Sequence, residues 1–450
     1  MTFSRMTRRA LFKRSAALAT LTAGSGLMSH ISAASADELP PDDLTKFDLD
    51  GKTITLLANA AHGKSWSHIS DLFKKQTGGI LKVTAVPYTQ LAQKQLLDVE
   101  SGANQYDLFQ YQTQLLGTLV SSGALLDITQ WAAANEKVLN IQDLAQSGYR
   151  AGGFYKGKLY GLTNVGVPNL LFYNNEILGK YNLKPPTTWE EFRAVAEEVT
   201  AKGQGKVWGS SLQAQKDATT LLMTYCGRLS GFGGSYLDQA GTPIINSPEA
   251  VAALTEFKKQ LPSAMPDPLL TGWQQATSSF LQGRLALADS WGDITALGND
   301  PSQSDIVGKY GAAALPTGGG NKKPALPVFV NSEALGISSA SRNPKTAAAW
   351  LQWISRTDVN VQIATTPGGN WPTLYKSVLT SDHYKKVNPF ADIIVKQFDG
   401  DALYWPSGVN SIQVAQALAD QVSNVLAGGG QPQAALDRAQ QSWLSNLQTA

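Results

Sequence analysis

Cysteine is nearly missing from this chain: Cys226 is the only one in 450 residues. No intrachain disulfide can form, so stability must come from packing. Histidine is scarce too, with four residues in all. There is no HExxH and no Cys/His cluster, which leaves no ligand set for zinc. Neither G-x-G-x-x-G nor G-x-x-x-x-G-K-[ST] stands at a strand-to-helix turn, which argues against nucleotide binding. A G-x-S-x-G elbow for serine hydrolysis is also absent. No cofactor is implied. Lys and Arg number 37 against 35 Asp and Glu, a formal +2. With no cationic cluster, the chain lacks the electrostatic footprint of a nucleic-acid or anionic-lipid binder.

What is present begins with an address. Thr7-Arg8-Arg9-Ala10-Leu11-Phe12-Lys13 precedes a weakly apolar stretch that ends in Ala34-Ser35-Ala36, and no acidic residue occurs before Asp37. This is the pattern of a twin-arginine export signal cleaved after Ala36. Ser, Thr, Gly and Ala dilute it too far for a membrane anchor, and no later apolar run approaches the ~20 residues of a span. Arg5, Arg8, Arg9, Lys13 and Arg14 leave with the signal, so the formal +2 less five becomes −3. Roughly 410 residues remain, above the ~250–300 at which one core stops growing, and two lobes are expected.

Thr53 to Ala58 reads as a buried strand of the parallel type. Trp66, Ile69, Leu72 and Phe73 then share a helical face that Gly78-Gly79 closes, before Leu81, Val83 and Val86 start another strand. Together they make a βαβ unit. Tyr106 to Phe109 is a further short strand. Thr188-Trp189-Glu190-Glu191 is a capping box, Ser247-Pro248 starts a helix with proline at its first position, and Asn343-Pro344 repeats that device. Trp189, Trp350 and Trp443 lie on apolar helical faces and are assigned to cores.

The order of these pieces resembles the extracellular solute-binding protein family 1, the maltose-binding-protein-like sugar receptors of ABC importers. The resemblance rests on Phe73-Lys74-Lys75-Gln76-Thr77-Gly78, Tyr106-Asp107-Leu108-Phe109, Gly157-Lys158-Leu159-Tyr160-Gly161-Leu162 and Pro186-Thr187-Thr188-Trp189-Glu190-Glu191-Phe192. It continues through Phe280-Leu281-Gln282-Gly283-Arg284-Leu285 to Trp291. It implies an α/β, two-lobed periplasmic binding protein fold of type II, each lobe a mostly parallel sheet flanked by helices, with the ligand in the cleft between them. The expected lobes are 48–163 with 315–371, and 168–312 with 372–450. The first crossing is expected near Leu162 to Pro168, the return near Leu315-Pro316. The family often has an acidic residue where Gln112 stands, and its loss weakens the case for a cationic ligand.

Ligands of open α/β lobes sit beyond the carboxyl ends of strands. A sugar or polyol presents hydroxyls and C–H faces, so its receptor needs amides, carboxylates and flat aromatic surfaces. His62 and Lys64 follow the first strand, although His62 serves equally as a residue at the start of a helix. Tyr111 and Gln112 occupy the corresponding loop of the next strand. Gln112 is preferred to Gln110 on the expectation that strand alternation sends only one of them toward the cleft. Asn164 marks the first crossing. Trp291, Gly292 and Asp293, then Trp371, and then Trp405 lie among turn formers and small polar groups. Trp291 matches the aromatic that the resemblance makes a sugar platform. Asn331 and Glu333 end an apolar run, in competition with a simple Asx-type turn.

The reading that follows is capture of a neutral carbohydrate by lobe closure, without chemistry, outside the cytoplasmic membrane. The partners are the ligand and the permease subunits of an ABC importer; the receptor is expected to be a monomer. The alternatives are an exported carbohydrate-active enzyme, which needs two carboxylates roughly 5–9.5 Å apart, and a receptor for a non-carbohydrate solute. An anion would call for Arg forks, and the strand-end loops carry only Lys64.

Overall fold

The computed structural model describes residues 39–166, 168–239, 241–329, 332–367, 371–398, 401–406 and 408–448. The expected export signal and Asn331 lie outside them.

Strand β1 (Thr53–Asn59) leads into α1 (Gly63–Thr77), which buries Trp66, Ile69, Leu72 and Phe73 and ends on Gly78 at φ 73°. That left-handed angle is open to glycine because no Cβ meets the preceding carbonyl. Strands β2 (Ile80–Val86) and β3 (Leu108–Gln112) run parallel to β1 on either side of it. A short α2 (Leu116–Ser121) follows, and β4 (Leu162–Val165) ends the first pass.

A second sheet takes β5 (Asn169–Asn174), β6 (Trp208–Ser210), β7 (Leu285–Trp291) and β8 (Tyr310–Ala313). Between them stand α3 (Trp189–Gly203), α4 (Thr220–Gly231) and α5 (Pro248–Gln260). The expected capping box is formed at α3: Glu191 N donates to Thr188 Oγ1 at 3.1 Å, and Thr188 N donates back to Glu191 Oε2. The chain then returns as β9 (Glu333–Ile337), followed by α6 (Pro344–Ile354). The hairpin of α7 (Ser411–Leu426) and α8 (Pro432–Gln448) closes the fold.

The sheet orders are β2-β1-β3-β9-β4 and β8-β5-β7-β6. Both are mostly parallel, as expected, each with one reversed strand: β9 is antiparallel to β3 and β4, and β5 is antiparallel to β7 and β8. The reason is the double crossing. β4 runs out of the first lobe, so β5 must start at the cleft and run away from it; β9 enters the first sheet from the cleft in the same way. The carboxyl ends of β1, β3, β4, β6 and β7 and the amino ends of β5 and β9 therefore all face one cleft.

The contacts move both expected boundaries. Leu315, Ala325 and Val328 pack in the second core with Trp189 and Leu221, so the return comes after 328 rather than near Leu315-Pro316. Leu-Pro has a hinge's local look, but Gly318 N still donates to Gly231 O. Residues 372–398 were expected in the second lobe and touch both: Ala145 N donates to Leu374 O and Ser147 Oγ to Phe398 O on the first lobe, while Asn388 Nδ2 donates to Thr295 Oγ1 and Phe390 lies against Tyr310 on the second. Trp189, Trp350 and Trp443 are core residues, as expected.

Cys226 is fully buried in α4, and burial pushes its thiol up to about 12 against an opposing hydrogen bond from Tyr236. Because the thiolate is the reactive form, the native protein should release no thionitrobenzoate from Ellman's reagent at pH 8. One equivalent should appear in guanidinium; fast release from the folded protein would contradict this packing.

Candidate functional site

The cleft end of the first sheet carries a buried polar cluster. Glu333, the first residue of β9, pairs in register with Gln112, the last of β3. Its carboxylate is buried and accepts three hydrogen bonds: from Asn59 Nδ2 at 2.7 Å, from Gln110 Nε2 at 2.5 Å and from His62 Nε2 at 3.1 Å. Gln110 also accepts from Asn59 N through Oε1 at 2.9 Å. His62 precedes α1 without capping it by its side chain; the ring turns inward and meets Trp371 edge-on, with centroids 6.0 Å apart. Trp66 also meets Trp371 edge-on, with centroids 5.0 Å apart.

Residues two apart on a strand share a face, so Gln110 and Gln112 point the same way and the expected choice between them was unnecessary. Tyr111 is the residue that alternation sends elsewhere. It is fully buried in the opposite core with Phe109 and Leu116, and burial raises its hydroxyl's pKa. Tyr111 is thus a packing residue. Trp405 is one too: it is 2 % exposed, lies against Tyr236 and Trp443, and donates through Nε1 to Ser411 Oγ. Its turn-forming neighbours shape a loop that folds onto the second core.

The second lobe contributes the end of β7. Trp291 is half-buried there, in register with Asn169, the first residue of β5. Gly292 N donates to Pro168 O, tying this end to the crossing. Gly292, Asp293 and Trp371 line a cavity of about 460 Å³, together with Gly166, Asn299 and Thr366. Lys64 is exposed on the first lobe, near Asp300 on that cavity's wall. Hydrogen bonds from Ser302 and Gln303, with a smaller pull from Lys64, hold the Asp300 carboxyl below the usual carboxylate range.

Several amides and hydroxyls at these strand ends are buried with no hydrogen-bond partner among the described residues. They are Gln112 Nε2, both polar atoms of Asn164, Asn169 Oδ1, Gln213 Oε1, Ser290 Oγ and Ser332 Oγ. Unpaired buried polar atoms are destabilising; others lie in the cores, Trp131, Trp350 and Tyr236 among them, but those at the strand ends fit a polyhydroxylated solute that donates and accepts. Asn59, Gln110, Asn169, Gln213, Ser290 and Ser332 were not among the expected site residues. The signal that finds most of them is topological, since each lies at or beside the cleft end of a strand.

Two carboxylates at the cleft ends of strands already have partners. Both Glu333 oxygens accept from neutral or imidazole donors, and Asp289 is spent on the buried Arg228, 2.8 Å away. Among the described residues no group of three or more His, Cys, Asp or Glu converges on a metal position.

A family model described as bacterial extracellular solute-binding protein matches residues 50–361. A relative in Deinococcus radiodurans, described as a probable ABC transporter-binding protein, is 28% identical over 376 residues, 82% of this chain and 86% of its own. Among solved structures, an ABC transporter solute-binding protein of Agrobacterium radiobacter in complex with ribitol superposes with a TM-score of 0.78 at 28% identity, covering 87% of this chain and 98% of that one. Maltose-bound MalE3 of T. maritima gives 0.75 at 21% identity, with 87% and 98% covered.

Proposed function

This chain belongs to the bacterial extracellular solute-binding protein family, and we propose that it captures a small neutral carbohydrate, a sugar or polyol, by closing its two lobes around it. It is the solute-binding component of an ABC importer. The observation that carries the ligand class is the cleft itself: unpartnered amides and hydroxyls stand at strand ends of both lobes, and beside them in the chain Gly166, Pro168 and Gly292 line a cavity that also has Trp371 in its wall and Lys386 but no arginine. The ribitol and maltose complexes of the similar structures point the same way. Export through the twin-arginine signal, cleavage after Ala36 and a periplasmic working place complete the reading, with permease subunits as partners. The lobes we assign are 48–165 with 333–371, and 169–329 with 403–448, with 372–398 packed against both. Ligand contacts are assigned to Gln112, Asn164, Asn169, Trp291, Asp293 and Trp371, with Glu333 and His62 behind them. No bond is made or broken: a solute that touches both lobes stabilises the closed form by its differential affinity, and that form is what the permease reads.

The test is a thermal-shift screen of the mature protein against polyols, monosaccharides, oligosaccharides, sugar acids and amino acids. Ligand at 100 times its Kd adds about 2.7 kcal/mol of stability, enough for a rise of a few degrees. The rise should be confined to one carbohydrate subclass with no product formed. A shift from amino acids or sugar acids alone would overturn the ligand class, and turnover of a glycoside would overturn passive capture. For the ligand so found, Trp291→Ala should weaken binding about tenfold or more through the lost aromatic surface while the circular dichroism spectrum is unchanged. Unaltered affinity would remove Trp291 from the site.

A further inference from the structure

The helix Tyr88–Glu100 follows β2 and packs one face on the first lobe, where Leu91 shares a core with Leu57, Val86 and Phe109. Gln95 comes one helical turn after Leu91, on the same face, and it is wholly buried. Its Nε2 donates to Gln110 O at 2.6 Å, and its Oε1 has no hydrogen-bond partner among the described residues. The amide has a single workable orientation, because turning it over would set oxygen against oxygen. An apolar side chain here would avoid the cost of a half-satisfied buried amide. Packing alone therefore does not account for the residue.

The carbonyl that Gln95 holds stands where the sheet opens. β1 and β3 keep register only at Leu56 with Leu108 and Leu57 with Phe109. Beyond those pairs, Asn59 N donates to the side-chain Oε1 of Gln110, and Gln95 reaches Gln110 O from the helix. The Gln110 side chain then bridges Asn59 N to the Glu333 carboxylate, which accepts from its Nε2 at 2.5 Å. We propose that Gln95 is a positioning residue for the solute site: buried behind the cleft, it holds Gln110 in the one place from which that amide serves both partners. This rests on the reading of the cleft as the solute site, and not on which solute fills it. The influence passes from Gln95 through Gln110 to Glu333, and so to His62, whose ring meets Trp371 on the cavity wall. Without Gln95, the end of β3 is held on the helix side by apolar packing, which is non-directional and does not fix an amide to hydrogen-bond geometry.

The test is Gln95→Met, which keeps a flexible side chain of similar size and drops the amide. Losing the bond to Gln110 O and removing the unpaired Oε1 oppose each other, so urea unfolding should stay cooperative with a midpoint near that of the wild type. Amide hydrogen exchange, followed by NMR with no solute present, should be roughly tenfold faster or more at Asn59 N, while amides in the middle of β1 exchange as before. The compound that gives the largest shift in the thermal screen, whatever its class, should bind several-fold more weakly in calorimetric titration. Gln95→Glu is the conservative variant: its protonated carboxyl can donate to Gln110 O and its ionised form cannot. Burial raises the pKa of such a carboxyl, so its affinity relative to wild type should be lowest at pH 8 and recover toward pH 5. Wild-type exchange at Asn59 N, exchange that rises in step throughout β1, or unaltered affinity in Gln95→Met would each overturn the proposal. Failure of both variants to fold would do so too, by making Gln95 a residue of the fold and not of the site. A screen in which only amino acids bind would instead overturn the carbohydrate reading and leave this one standing.

Discussion

Glu333→Ala should lower ligand affinity by at least tenfold, which is about 1.4 kcal/mol, and should cost the unliganded protein about 1–3 kcal/mol. The two effects have one cause. Glu333 is the shared acceptor of Asn59, His62 and Gln110, three side chains from two strand ends, and it is 4 % exposed. Alanine leaves those donors buried without an acceptor, and each then tends to turn toward water or toward one another. His62 is the most consequential, because its ring braces Trp371 on the cavity wall. Glu333→Gln is the informative control. An amide has one acceptor oxygen where the carboxylate has two, so it can serve Asn59 or the His62–Gln110 side but not both; an intermediate loss is expected. Calorimetric titration of both variants checks this. Wild-type affinity in Glu333→Ala would mean that the cluster is packing and not part of the site.

Local patterns in the chain carried much of the architecture. The capping box at Thr188, the left-handed stop at Gly78 and the apolar faces of Trp66 and Trp189 are short-range features, and each forms where its residue types require. The errors arise where the deciding partner is distant. Trp405 and Trp371 sit in similar turn-rich sequence, yet one faces Tyr236 and Trp443 in a core and the other His62 near the cavity. Nothing within a few residues separates them. Leu315-Pro316 looks like a crossing, but the chain stays on the second core because Val328, farther along, is buried there too. The site residues were partly legible because topology confines ligands to strand ends. Asn59 and Glu333 are 274 residues apart, and their hydrogen bond became visible only once β9 was seen to pair with β3.

The largest loss of stability should come from Asp289→Ala, about 3–5 kcal/mol, the range for stranding one partner of a buried ion pair. Arg228 is wholly buried; its guanidinium lies 4.2 Å from the Trp189 ring centre and 4.5 Å from that of Phe257. It donates to Asp289 Oδ2 at 2.8 Å, to Thr224 O at 2.7 Å, and twice to Gln260 Oε1. Gln260 and Thr224 are neutral, so without Asp289 no anion answers the charge, and the aromatic faces replace only part of that attraction. Arg228→Met with Asp289→Leu should lose much less than Asp289→Ala alone, because an apolar pair of similar volume removes the charge along with its partner. Urea unfolding of the three proteins decides it: a double variant as unstable as the single one would show that shape at this position, and not charge, sets the loss. The same pair bears on function, since Gln213 Nε2 donates to Asp289 O and Trp291 follows two residues later. Asp289→Ala should therefore weaken ligand binding even below its unfolding midpoint, while the double variant, with β7 still anchored by packing, should bind nearly as wild type.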